Sequence, residues 1–282
     1  MRGQGEDDGL ARFKVNRQKA PSRLIQVDDL VKLVNLAILT GRVANAKPIS
    51  MLLVGDTETG KTQILEIFMK LEPVIWANDL SAHVIVDEVA PEVEKGKTHI
   101  LIPDLLKVLG HNKVVTRNTM TMLNSIMEEG LKNVMFYGTR KEFDEPVRCG
   151  AIAAITRDGY SSRENHWKSI GFVGRCIPVS FSYSEKTKLK IHEHIKKGFP
   201  SRAIQITEGK PTKVEISRSI AEKIQDLTIA RTPFSTGFRL HKQLRALVQG
   251  HALFRGRTRV NKEDFEEVRQ LSRFINLDFN QI

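Results

Sequence analysis

The stretch Gly55-Asp56-Thr57-Glu58-Thr59-Gly60-Lys61-Thr62 matches the pattern G-x-x-x-x-G-K-[ST] at each fixed position. The apolar run Ser50-Met51-Leu52-Leu53-Val54 enters it like a buried strand, and residues 63–70 leave it with helical spacing. Strand, loop and helix is the context in which such a match predicts a polyphosphate cradle. The chemistry requires these residue types. Gly55 and Gly60 let the backbone wrap closely, so that successive N–H groups of Thr57, Glu58, Thr59 and Gln63 point at phosphate oxygens. Lys61 is expected to bridge the outer phosphates, and the Thr62 hydroxyl to hold Mg²⁺. A nucleoside triphosphate is the expected ligand.

With 282 residues and 40% hydrophobic content, the chain has room for a sizeable core in one or two domains. No apolar run approaches a membrane span, so no membrane partner is expected. The polar, acidic start shows no secretory signal. Cys149 and Cys176 lack metal-ligand spacing and read as small buried hydrophobes in a reducing, cytoplasmic setting. The net charge of +11 is uneven: residues 184–282 carry 20 Lys and Arg against 11 Asp and Glu. A basic C-terminal third fits a polyanion partner, and it fits equally a solvated helical surface.

Taken in order, residues 1–24 read as a flexible basic arm containing Arg12, Lys14, Arg17, Lys19 and Arg23. Residues 27–42 have helical spacing and lead into the first core strand. After the loop helix, Pro73-Val74-Ile75-Trp76-Ala77 resembles a second strand. Two further strand candidates end in an acid: 83–88, with Asp87 and Glu88, and 99–104, with Asp104. Either Asp would suit the magnesium shell. Asp87-Glu88 has the better local chemistry, but it follows Lys61 too closely for a helix, a strand and a return. Spacing therefore favours Asp104, which leaves Leu105 where a catalytic Glu is expected. Residues 131–156 read as a hairpin with a polar turn over 138–145, its second arm ending at Thr156 on the carboxyl edge of the sheet. Beyond residue 184 helices are expected at 185–197, 216–230, 238–254 and 262–274. The last opens on Asn261 and Asp264 as a capping pair, with Val260 and Phe265 as a staple.

These parts together resemble a AAA+ ATPase, closest to the MoxR, magnesium-chelatase and minichromosome-maintenance-helicase group. The resemblance rests on the phosphate loop, the hairpin before Thr156, the helix end Leu123-Asn124-Ser125-Ile126-Met127-Glu128-Glu129-Gly130 and the ending Arg257-Thr258-Arg259-Val260-Asn261-Lys262-Glu263-Asp264. It implies an α/β fold: a P-loop NTPase three-layer αβα core with a central parallel sheet over 25–183, then an all-helical lid over 184–282. The interval from Ala77 to His99 is shorter than the long helical insert of the chelatase and helicase relatives.

By that resemblance the ligand is ATP with Mg²⁺ on Thr62 and Asp104, and Thr156 positions the attacking water. Gly237-Phe238-Arg239 resembles a motif whose Arg reaches the γ-phosphate from the lid. Arg175 takes the place of an arginine finger acting on a neighbouring subunit's nucleotide. Glu58, Glu88 and Glu129 remain alternatives for orienting water in place of the missing Glu at 105, with Glu58 favoured for its place in the loop. An arginine supplied in trans implies a ring or helical oligomer of about six subunits per turn. Three roles are expected as alternatives. Nucleic acid is preferred on the basic lid and arm, against an acidic hairpin tip. A polypeptide would be met by Phe143 in a MoxR-like remodeller. An ATP-assembled switch would turn over slowly. No separate recognition domain is visible, so a recruiting partner protein is expected.

Overall fold

The computed structural model describes residues 14–21, 27–136, 139–197, 201–208, 210–232 and 236–276. The chain runs through β1 (Lys14–Pro21), α1 (Asp28–Leu39), β2 (Ser50–Gly55), α2 (Lys61–Glu66), β3 (Val74–Trp76), α3 (Ala82–Val84) and α4 (Ala90–Glu94). It continues with β4 (His99–Ile102), α5 (Leu105–Leu109), α6 (Lys113–Met127), β5 (Leu131–Phe136), β6 (Thr139–Val147) and β7 (Gly150–Thr156). Then come α7 (Arg157–Ser161), α8 (Glu164–Ser169), β8 (Cys176–Ser180), α9 (Glu185–Lys197), β9 (Ser201–Glu208), α10 (Arg218–Arg231), α11 (Phe238–Phe254) and α12 (Lys262–Leu271).

Five strands form a parallel sheet in the order β3-β4-β7-β2-β8, with helices on both faces. Side chains of a strand alternate between faces, and the buried residues sort accordingly. Met51 and Leu53 of β2, Ile152 and Ala154 of β7 and Ile177 and Val179 of β8 join a cluster with α1 and α10–α12. Leu52 and Val54, with Ala151, Ala153 and Ile155, face a second cluster made with α5, α6 and the β5–β6 hairpin. Strands covered on both sides read as continuous apolar runs, which is why 50–54 and 149–155 were legible. The C-terminal helices are docked on the sheet through α1. Gly250 of α11 lies so close to α1 that a Cβ there would sit 3.0 Å from the Leu36 carbonyl.

His99 and Gly150 pin the amino edge of the sheet. The imidazole is fully buried and Nε2 donates to the Ile49 carbonyl at 3.1 Å, across the width of β7. Gly150 makes room for it: a Cβ there would sit 2.4 Å from the Ile49 carbonyl oxygen and 2.6 Å from the His99 ring. Gly150→Ala is therefore expected to destabilise the fold by about 1–3 kcal/mol, read as a lower urea midpoint. Burial drives the His99 pKa down to about 4. The unfolded chain then holds more protons than the native one between the ordinary histidine value and that figure, so stability falls as pH drops through this window. Over the whole interval the loss should amount to about 3 kcal/mol. Urea midpoints taken from pH 7 to 4 should show it, and His99→Gln should flatten that part of the curve.

Several expectations are corrected. Residues 83–88 are helical, not a strand: Ile85–Val89 forms a π-helical turn between α3 and α4, burying Ile85, Val86 and Val89 on one side. Their β-branched side chains suggested a strand, but the burial spacing is helical. The hairpin is β5 with β6, and the polar residues of 139–145 belong to β6 rather than to a turn. Its register shifts between Leu131 and Asn133, and Phe143, in the stretch of β6 that this shift leaves over, is buried in the second cluster. Phe143 is therefore unavailable for either a polypeptide or a base. Tyr137 and Gly138 lie outside the described residues, as do Arg12 and Arg23. The arm is not uniformly irregular, nor the lid all helical: β1 pairs antiparallel with β9 along their full length, Lys14 opposite Glu208 and Pro21 opposite Ser201. Finally, α2 ends at Glu66 and continues to Leu71 only as shorter-range turns, Phe68 N to Leu65 O and Leu71 N to Phe68 O. The capping pair is as expected: the Asn261 side chain accepts from Asp264 N, and Asp264 Oδ2 accepts from Asn261 N.

Candidate functional site

Because the sheet is parallel, the carboxyl ends of β2, β4, β7 and β8 share one edge, the usual ligand edge of an open α/β sheet. Gly55 stands opposite Thr156, and Val54 opposite Ser180. The glycine-bounded loop's residues Glu58, Thr59, Gly60, Lys61 and Thr62, with Gln63 after it, line an open depression of about 320 Å³ at this edge. Two residues adopt left-handed backbone there: Gly60 at φ 83° and Glu58 at φ 62°. An L-residue is strained in that conformation by roughly 1–2 kcal/mol. Gly55 is crowded, since a Cβ would meet Thr59 Oγ1 at 3.1 Å.

Lys61 is folded into the loop. Its Nζ donates to the Gly55 carbonyl at 2.8 Å and to that of Asp56, while only 9% of the residue is exposed. Burial pulls its pKa below the ordinary lysine value, and the carboxylates of Asp56 and Asp104 oppose that pull. The Thr62 hydroxyl donates to the Pro103 carbonyl at 3.2 Å, which ties the loop to the end of β4. Asp104 follows at once and caps α5, Oδ1 accepting from Leu106 N at 3.0 Å. Of the two acids weighed above, Asp104 is the one beside Lys61. Asp87 lies 3.6 Å from Lys141 of β6 instead. Thr156 caps α7 through Gly159 N.

The expected magnesium fits these donors. Among the described residues no three His, Cys, Asp or Glu side chains are grouped to hold a metal. Thr62 and Asp104 nonetheless offer the hydroxyl and carboxylate that Mg²⁺ takes when phosphates and water complete its shell.

Other residues at this edge carried no motif. Arg157 Nε donates to Asp56 Oδ1 at 3.2 Å and so offsets one of the two acids in the phosphate loop. Tyr183 donates its hydroxyl to the Thr59 carbonyl at 2.9 Å. It also helps line a recess of about 210 Å³ with Val27, Leu30, Phe181, Thr187 and Phe274. These residues come from α1's entry, the end of β8, α9 and the turn Ser272–Phe274. Their separation in sequence is why no spacing revealed them.

Arg175 and Arg239 are not at this edge. Arg175 ends the turn before β8, whose first residue stands opposite Ser50, the first of β2. Arg239, at the start of α11, lies against the same turn: a Cβ on Gly174 would meet its Nη1 at 2.9 Å. Both line a cavity that includes Ile49 and Ser50. The length of β2 therefore separates them from Gly55, about 16 Å at strand rise. Arg239 does not reach the Gly55–Thr62 loop of its own chain, because the start of α11 is docked at the amino end of the sheet. Glu129 is there too, 3.6 Å from Arg175, which removes it from the residues able to orient water at the loop. Thr57 and Glu58 are exposed on the loop. Leu105 is fully buried in the second cluster.

No known protein family model matches the chain, and no curated protein matches it either.

Proposed function

We propose that the protein is an ATP-binding ATPase of the AAA+ kind that assembles with copies of itself and acts on nucleic acid. The observation that carries this reading is convergence: the phosphate loop, Asp104 and Thr156 come from three neighbouring strands to one edge of a parallel sheet. In this reading the loop amides and Lys61 hold the polyphosphate. Thr62 and Asp104 complete the shell of Mg²⁺, which supplies charge neutralisation on the phosphates, and Thr156 orients water. The recess beside Tyr183 takes the base, with aromatic Phe181 and Phe274 at hand for stacking. Arg175 and Arg239 serve the nucleotide of an adjacent subunit, and a recruiting protein brings the assembly to its substrate.

Nucleic acid is retained as substrate on the excess of Lys and Arg in the C-terminal third. Phe143 gives no support to a polypeptide remodeller. One observation favours a second reading, an ATP-assembled switch with slow turnover: the position after Asp104 is filled by a core leucine rather than a carboxylate. Turnover of the purified protein, alone and with single- or double-stranded DNA, separates the two. Stimulation that fades as salt rises is the expected result. Tight ATP binding with no response to DNA would select the switch, and absence of ATP binding would end both.

A further inference from the structure

Tyr183 stands between the end of β8 and Ser184, whose hydroxyl accepts from Thr187 N at 3.2 Å where α9 begins. The backbone is thus tied on both sides of it. Its ring packs edge-on against buried Phe181, the centroids 5.9 Å apart, at the margin of the cluster around α1. Burial raises the phenol above the ordinary tyrosine value, so the hydroxyl keeps its proton at neutral pH and remains a donor. That donor goes to the Thr59 carbonyl at 2.9 Å. No peptide bond among the described residues is cis. In a planar trans peptide the carbonyl and the following N–H point in opposite directions. Holding the Thr59 carbonyl toward Tyr183 therefore turns the Gly60 N–H away from it.

Glycine does not itself resist a turn of that plane. Gly60 sits at φ 83°, and turning the Thr59–Gly60 peptide over would carry it to negative φ, which glycine adopts about as readily. The Thr59 side chain is held, with Oγ1 donating to the Asp56 carbonyl at 2.9 Å, but this bond leaves the Thr59 carbonyl to Tyr183. A turned peptide would present an acceptor where the donor had been, and an anion is bound by convergent N–H groups, not by a carbonyl.

We propose that Tyr183 is a positioning residue, whose hydroxyl clamps the Thr59–Gly60 peptide so that the Gly60 N–H stays turned into the depression of the Gly55–Thr62 loop, open to a phosphate oxygen. The ligand in this inference rests on the nucleotide-binding reading above; the clamp does not. Tyr183 also lines the recess given there to the base. One side chain thus bounds the place of the base and sets an amide that meets the phosphates. A tyrosine that served only as a wall of the recess would matter to the base alone.

Tyr183→Phe removes the hydroxyl and keeps the ring against Phe181. Inorganic tripolyphosphate has nothing to place in the recess, so its binding isolates the clamp. Calorimetric titrations should show tripolyphosphate and ATP weakened to the same extent, by about 3–10-fold, the range for one lost hydrogen bond. A loss confined to ATP would leave Tyr183 a recess wall, and wild-type affinity for both would remove it from the site; either result overturns the proposal. The isotope-labelled Gly60 amide gives a readout that needs no ligand. It should be one sharp resonance in wild type and broadened or doubled in Tyr183→Phe, while the amides of Gly41 and Gly150 stay as they were. An unchanged Gly60 signal overturns the clamp. If the wild-type protein binds neither ligand, the nucleotide-binding reading fails and the Gly60 amide alone decides the clamp.

Discussion

Lys61→Ala is expected to weaken ATP binding by about 10²–10⁴-fold while leaving the fold intact. Hydrogen bonds to charged groups contribute about 1.5–3 kcal/mol each, and an ammonium bridging two phosphates makes at least two of them. Lys61 gives its donors to the carbonyls of Gly55 and Asp56 and to Thr59 Oγ1. Thr59 lines an open depression and the Asp56 carbonyl is part-buried, so water can replace the donor there, and only the Gly55 carbonyl is left buried. Burial already disfavours the ammonium there. Global stability should therefore change by no more than about 1–2 kcal/mol. Titration with a fluorescent nucleotide, beside a thermal melt, checks both halves. Wild-type affinity in the variant would mean that Gly55–Thr62 is an ordinary turn between strand and helix.

What the sequence disclosed follows from how local each feature is. The strand, loop and helix around Gly55–Thr62 were legible because consecutive residues carry that local geometry. That the sheet strand is the one before Asp104 and not the one before Asp87 was legible by chain length, since a helix, a strand and a return need more residues than separate Lys61 from Asp87. The capping pair of α12 is a contact between residues three apart. Other features depend on distant partners. The pairing of β1 with β9 joins a segment before residue 22 to one beyond residue 200, and neither segment has a hydrophobic run to announce it. Phe143 in a polar segment suggests an exposed tip, but the register shift in the hairpin makes it core. The recess beside Tyr183 and the place of Arg239 are set by how α1, α9 and α11 dock, which no spacing encodes. Leu105 is instructive in another way. Its identity was plain in the sequence, and its complete burial shows that the position belongs to the packing of α5.

Arg175→Ala should leave ATP affinity within about two-fold and lower turnover by about 10³-fold or more, the range for a cation acting on a transferring phosphoryl group. The geometry makes the reason specific. Arg175 stands at the amino end of β8, a strand's length from the Gly55–Thr62 loop of its own chain, so under the proposed function its charge would act on a nucleotide brought by another copy. Arg239 shares that position across Gly174, and Gln243 Nε2 donates to the Arg175 carbonyl at 3.2 Å, linking α11 to the same turn. Arg239→Ala should therefore behave like Arg175→Ala and not like Lys61→Ala. Mixing decides the matter. A Lys61→Ala subunit has no working loop but keeps both arginines, while an Arg239→Ala subunit keeps its loop. Interfaces between the two place an intact loop against an intact arginine pair, so turnover should recover in proportion to such interfaces. Recovery in mixtures with Arg175→Ala but not with Arg239→Ala would mean that Arg239 serves its own chain's nucleotide, which would require α11 to leave the amino end of the sheet. Wild-type turnover in Arg175→Ala alone would remove the arginine from the chemistry altogether.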